Sequence, residues 1–292
     1  MPLSRRQFLH MAGAVLLTPS LTPFSLPSQA VLYGRALRAV SVYRQPRESA
    51  AVIQHLWPDQ IAPIIDLKNG WIRIEDGFIH KADVQPILLD LRDVPTADVQ
   101  PPFWAEVHAP AASVRQWCAA DAPLVTRIGH GGSLQVIDYL PGPPTGWYGV
   151  AGAAGALLGW TQAAHWQPAR IADHGMPLQL LLDQQVQRIT VMHDHQTLLE
   201  APVSTGQRLA VGVYALDRGP VGGLRAQTNS MTYEGLPWAL SFGDQSALAG
   251  VYWHNAFGEP MPGPAIQVTT DLARWLYACC GMDSQITVLD AR

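Results

Sequence analysis

Cysteine, charge and long apolar runs are all scarce in this chain, and each scarcity narrows what it can be. Three cysteines, Cys118, Cys279 and Cys280, are too few and too badly spaced for a disulfide framework. The adjacent pair Cys279 and Cys280 reads as free thiols buried on a helix rather than as a strained vicinal disulfide. Charged residues make up 14% of the 292, well below the roughly 25% of ordinary globular domains. With a net charge of −4 there is no basic stripe to attract a phosphate backbone, which argues against a nucleic-acid partner. No apolar run approaches the about 20 residues that a spanning helix needs. Met11 to Leu17 is too short, and Gly149 to Trp160 is short and rich in Gly and Ala, so no transmembrane segment is expected in the mature chain.

What is plentiful is turn chemistry. Gly occurs 25 times and Pro 24 times, spread along the chain as in proteins built from many short strands. Hydrophobic residues, at 48%, suffice for a sizeable core or several small ones. Residues 1–30 read as a targeting segment. Ser4-Arg5-Arg6-Gln7-Phe8-Leu9 resembles the twin-arginine export motif, the apolar run follows, and Ser28-Gln29-Ala30 offers small residues for a signal peptidase. The expected destination is the periplasm, cell wall or exterior.

Beyond the leader, two segments share one order: an apolar strand, a polar turn, a longer strand, then Gly-Trp and a closing strand. They carry Trp71 and Ile79 in the first copy and Trp147 and Trp160 in the second. That order resembles bacterial Src-homology-3-like domains, and the resemblance implies two small β-barrels at 31–93 and 103–170. The Pro-rich piece within 94–102 is the expected linker. From about Gly175, alternating residues on either side of His193-Asp194-His195 predict a hairpin. Two imidazoles on alternate strand positions point to opposite faces, so the His193/His195 pair reads as a solvated turn and not as a metal site. Near the end, Thr269 or Thr270 caps a predicted helix with Leu272, Trp275, Leu276 and Cys279 on one face and Gly281 as its C-cap; a strand over Gln285 to Leu289 closes the chain.

The stretch 171–292 contains two motif-bearing runs, "VQRITVMHDHQTLLEAPVSTG" and "LAGVYWHNAFGEPMPGPAIQVTTDLARWLY". Together they resemble the L,D-transpeptidase catalytic domain. Tyr252-Trp253-His254-Asn255, Phe257-Gly258, Pro260, Ile266, Ala273, Trp275 and Leu276 fall in register with the family's active-site stretch. The resemblance implies a β-sandwich with one late helix and an acyl transfer on peptidoglycan through a cysteine thioester. Gly250, Trp253, His254, Asn255 and Gly258 match the motif; the reactive positions do not. The family's first histidine falls on Ala249. Its Ser-His-Gly-Cys run falls on Pro262, Gly263, Pro264 and Ala265, the polar residue after it on Gln267, and its Thr-Pro-x-Gly turn on Leu209-Ala210-Val211-Gly212.

A thiolate nucleophile needs a neighbouring base or cation, and its tetrahedral intermediate needs N–H donors. Ala265 has no thiol, Gly263 no imidazole and Pro264 no N–H. Loss of the nucleophile costs on the order of a million-fold in rate, so the expectation is a pseudoenzyme with no catalytic residues, metal or cofactor. Its expected partner is peptidoglycan or a cell-envelope protein. The alternatives are an active enzyme with an unrecognised arrangement and a pure interaction scaffold.

Overall fold

The computed structural model describes residues 15–16, 31–89, 99–170, 175–219, 221–228, 231–244 and 246–289. The leader, apart from Val15–Leu16, and most of the expected linker lie outside the described residues. The fold is mainly β with one α-helix, distributed over several sheets, one of them curled nearly closed.

The first β-segment, 31–89, joins two sheets. Ile61–Pro63, Val31–Ala36 and Val84–Leu89 form one; Val52–Leu56, Val40–Tyr43, Phe78–His80, Trp71–Arg73 and Asp66–Lys68 form the other. A 3-10 turn, Lys81–Asp83, precedes its last strand, and the His80 ring caps that turn by accepting from Ala82 N–H. The second segment lays seven strands in one sheet from Leu124–Gly129 at one edge to Trp166–Pro168 at the other. It too places a 3-10 turn, Ala163–His165, before its closing strand. In both segments the Gly-Trp pair opens a strand, Trp71–Arg73 and Trp147–Ala151, and the Trp71 ring packs edge-on against Tyr43 and His80.

The third segment carries a ten-stranded sheet. Gln179–Asp183 pairs in parallel with Gln285–Leu289, and Ser246–Val251 in parallel with Ile266–Thr269. Val15–Leu16 adds a short antiparallel pairing at the Gln196–Pro202 edge. The hairpin turn is Asp194-His195, both with positive φ, the twist that a two-residue connection requires. The helix Thr270–Cys279 starts on Thr269, whose hydroxyl accepts from Leu272 N–H. It is buried on more than the one predicted face: only Asp271 and Arg274 escape full burial. The expected C-cap at Gly281 moves to Cys280, whose N–H donates to Leu276 O. Gly281 is glycine for another reason: a Cβ there would strike the Gly175 backbone at 2.5 Å. Leu180, Leu182, Ile189, Val191, Ile286 and Val288 are fully buried, giving the sheet its inner face, and this core is continuous with that of the first segment.

Candidate functional site

The residues singled out from the sequence converge. Parallel pairing sets Ala249 beside Gln267 and Gly250 beside Val268, and Ala265 directly precedes the same strand. Ala249, Ala265 and Gln267 are buried, whereas Gly263 and Pro264 are half-buried and Pro262 is exposed. Ala249 is fully buried under the hairpin Leu224–Gln227/Thr232–Leu236, among Ala226, Leu236 and Ala239. Ala265 is 9% exposed and packs in the main core. Gly250 N–H donates to Pro237 O, and a Cβ would press on Thr270 and Ala273 at 3.0–3.1 Å. This glycine lets the helix lie close on the strand.

The loop from Ala256 to Ala265 is fastened along Val203–Gly206. Gly258 N–H donates to Val203 O, Met261 N–H to Thr205 O, and Gly206 N–H to Ala265 O. Gly258, with φ +107, takes a conformation that side chains avoid. A Cβ on Gly206 would meet Pro264 O at 2.5 Å, so the loop rests directly on bare backbone.

Under that loop lies Gln267, 0% exposed. Its Oε1 accepts from His254 Nε2 (2.8 Å), and its Nε2 donates to Met261 O (2.6 Å) and weakly to Pro264 O (3.5 Å). Ala256 N–H donates to His254 Nδ1, so that nitrogen is the acceptor and the proton sits on Nε2. Burial lowers the His254 pKa, with the Gln267 contact opposing. The imidazole is therefore a neutral strut with both nitrogens in use, and Gln267 has no polar group left for a ligand. The backbone of Gly263 lies directly on this amide, which a Cβ there would meet at 3.1 Å.

None of the three thiols is activated. Burial pushes Cys279 up to about 12 and raises Cys280. Cys118, in the second segment, is raised by desolvation and by Asp138. None is a thiolate near neutral pH. His193 is engaged with Pro177 O, and among the described residues no group of three or more His, Cys, Asp or Glu is placed to hold a metal.

The residues from Tyr252 to Asn255 serve as docking points. Arg35 of the first segment, its side chain 6% exposed, donates through Nη2 to the Tyr252 carbonyl, through Nη1 to Asp59 (2.5 Å) and through Nε to Gln85 (2.9 Å). Arg127 of the second segment pairs with the other Asp59 oxygen at 3.1 Å. Gln85 Nε2 donates to His130 O, and Asn255 Nδ2 to Lys81 O. The Tyr252 ring enters the second segment's core, donates its hydroxyl to Glu234 O and contacts Trp253, which stacks on Tyr233 at 4.2 Å. Tyr252 fits because Gly129 and Gly132 lack side chains: a Cβ on Gly129 would meet Arg35 and Tyr252 at 2.6 Å. Gly131, with φ +80, abuts Thr270 in the same way. Sequence reasoning missed this node of Arg35, Asp59, Gln85, Arg127 and His130. The available signal was Gly129-His130-Gly131-Gly132, more glycine than a turn needs.

His130 gives the node a measurable property. Its Nδ1 faces the carbonyls of His108 and Ala109, and burial, with Arg35 adding repulsion, lowers its pKa from 6.5 to about 4. A histidine with a depressed folded pKa contributes stability that is complete above about 6.5 and is lost as pH falls through about 4. Imidazole 15N shifts of the full chain should show His130 neutral at pH 5.5; a charged ring there would contradict the packing described.

No family model matches the chain, and no curated protein matches it. Solved structures similar to it include L,D-transpeptidases. The Enterococcus faecium catalytic domain is 12% identical with a TM-score of 0.33, covering 40% of this chain and 99% of that one. L,D-transpeptidase 3 from Mycobacterium tuberculosis is 14% identical with a TM-score of 0.33, covering 46% and 76%. An L,D-transpeptidase from Mycobacterium tuberculosis H37Rv is 12% identical with a TM-score of 0.35, covering 66% and 97%. At these values the functional reading rests on the residues themselves.

Proposed function

We propose that this is a non-catalytic exported cell-envelope protein of L,D-transpeptidase ancestry that binds peptidoglycan or an envelope partner. It consists of two Src-homology-3-like barrels (31–93 and 103–170) on a degenerate catalytic-type unit (171–292), delivered by a twin-arginine-type signal (1–30). One observation supports the loss of catalysis above all others: the amide of Gln267, with every polar atom engaged, occupies the ground beneath a loop that carries Ala265 and no nucleophile. Raised thiol pKa values at Cys279, Cys280 and Cys118 support it further, since none of the three is primed as a nucleophile.

Binding in place of turnover is supported by what the surface keeps. Trp57 is 71% exposed and Trp117 52%, one on each proposed barrel. An exposed indole gives a flat apolar face that can stack on a sugar ring, at no packing cost to the core. Co-sedimentation of the mature chain with purified sacculi at physiological salt tests this. Recovery in the pellet is expected, and Trp57→Ala with Trp117→Ala should weaken it at least tenfold, about 1.4 kcal/mol. Full recovery of the unaltered chain in the supernatant contradicts the glycan reading and leaves a protein scaffold.

A further inference from the structure

The Gly-Trp strands build one ladder twice, and the two copies differ at its centre. In the second segment antiparallel pairing sets Asp138 opposite Gly149, Gly149 opposite Trp160, and Trp160 opposite Arg115. In the first it sets Asp66 opposite Arg73, Arg73 opposite Phe78, and Phe78 opposite Tyr43. The register shifts at the same step in both, Val42/Tyr43 and Val114/Arg115, so the positions correspond one to one. Residues opposite one another in a ladder project from the same face. Both copies keep the acid. Beside it the first carries exposed Arg73, and the second, at Gly149, no side chain.

Three side chains converge on that gap. A Cβ on Gly149 would lie 3.0 Å from Asp138 Cβ and 3.4 Å from both Leu157 Cδ1 and Trp160 Cη2. The indole thus borders bare backbone, with an acid on one side and an apolar wall on the other. This face looks outward. Tyr148 and Val150, which alternate with Trp147 and Gly149, fill the segment's core, whereas Trp160 is half-buried and Asp138 and Leu157 are exposed. Trp147, opposite Gln162, is the diagonal neighbour of Trp160 on the same face. Asp138 Oδ1 accepts from Tyr139 N–H (2.8 Å), and among the described residues no other donor reaches the carboxylate. Arg115 donates to the Ala122 carbonyl instead.

We propose that Trp160, Gly149, Asp138 and Leu157 form a subsite for one neutral N-acetylated sugar ring of a glycan strand. The inference rests on the glycan reading above and deepens it by naming the sugar and the place. The apolar face of the ring stacks on the indole. Its edge lies over Gly149, where a side chain would block it. Asp138, an acceptor only, takes a hydrogen bond from a sugar hydroxyl or from the acetamido N–H. Leu157 gives the acetyl methyl an apolar contact. A sugar that carries its own carboxylate is disfavoured, because its charge would face Asp138 with no cation between them. In the first segment Arg73 covers the matching floor and closes that copy to a ring.

The test titrates the full chain with triacetylchitotriose and follows tryptophan emission and indole 1H–15N shifts. Gly149→Arg and Trp160→Phe give the second ladder the residues that the first carries at the matching positions, types that this kind of sheet already holds. Saturable binding is expected, weakened about tenfold or more by either variant. Trp160→Phe also identifies the Trp160 indole signal, which should move as sugar is added. An absence of saturable change overturns the proposal, since an indole that only shields glycine backbone binds nothing. Wild-type affinity in Gly149→Arg overturns it as well. Should Gly149→Arg fail to fold, the wild-type Trp160 signal decides: movement supports the subsite, and a fixed signal overturns it. The probe is a soluble sugar, so a negative result leaves co-sedimentation with sacculi, and the envelope reading it tests, standing.

Discussion

Arg35→Ala should destabilise the folded chain by about 3–5 kcal/mol, the usual cost of removing one member of a buried charged pair. The ion pair need not be favourable in itself, since desolvating two charges offsets much of their attraction; the cost comes from what remains. Without the guanidinium, one Asp59 oxygen, Gln85 Oε1 and the Tyr252 carbonyl lose a donor together, in a site where the side chain they lose is 6% exposed. Arg127 still pairs with the outer Asp59 oxygen but is half exposed and contributes little. The loss also leaves a void against Gly129, which no side chain fills. Urea unfolding followed by tryptophan emission measures the change. Arg35→Lys, which keeps the charge but not the planar fork that reaches three acceptors, should fall between wild type and Ala. A cost for Arg35→Ala under about 1 kcal/mol would mean that the three segments do not depend on this node.

Much of the fold was legible because its signals are local. The alternation around Asp194-His195, the Thr269 cap with Asp271 behind it, and the Gly-Trp strand starts each depend on residues a few positions apart. The misplaced helix end shows the limit of that method. Gly281 looked like a cap, but its lack of a side chain serves a contact with Gly175. The node was illegible for the same reason on a larger scale: Arg35 meets Tyr252 across 217 positions and Arg274 meets Glu106 across 168. No pattern within one strand or helix announces such partners.

The site was half legible. The sequence set the proposed site at Tyr252 to Gly258 and put Ala265 where the resemblance implies a thiol. Gln267 read only as the wrong polar residue. That its amide braces His254 and holds the loop down follows from burial and from the register of Ile266–Thr269, which sequence does not give. Retained Tyr252 and Asn255 likewise read as remnants of a reaction site, whereas their polar groups are spent on Arg35, Lys81 and Glu234.

The most direct test of the proposed loss of catalysis is to restore the thiol. In Ala265→Cys the new side chain would sit in a core position with 9% exposure, where burial raises a thiol's pKa above about 8.5 instead of lowering it. The imidazole under the same loop, His254, is bound to Gln267 and Ala256 and has no free nitrogen to accept its proton. Pro264 offers no N–H to an oxyanion, and Gly206 N–H already donates to the Ala265 carbonyl. The decisive measurement is intact-mass detection of an acyl adduct on Ala265→Cys after incubation with a carbapenem or a stem tetrapeptide, beside an active L,D-transpeptidase. No adduct, or one formed at least about a thousandfold more slowly, is the predicted result. An adduct formed at the active enzyme's rate would contradict the account, because the closed loop, the engaged glutamine and the neutral strut would then be no barrier to chemistry.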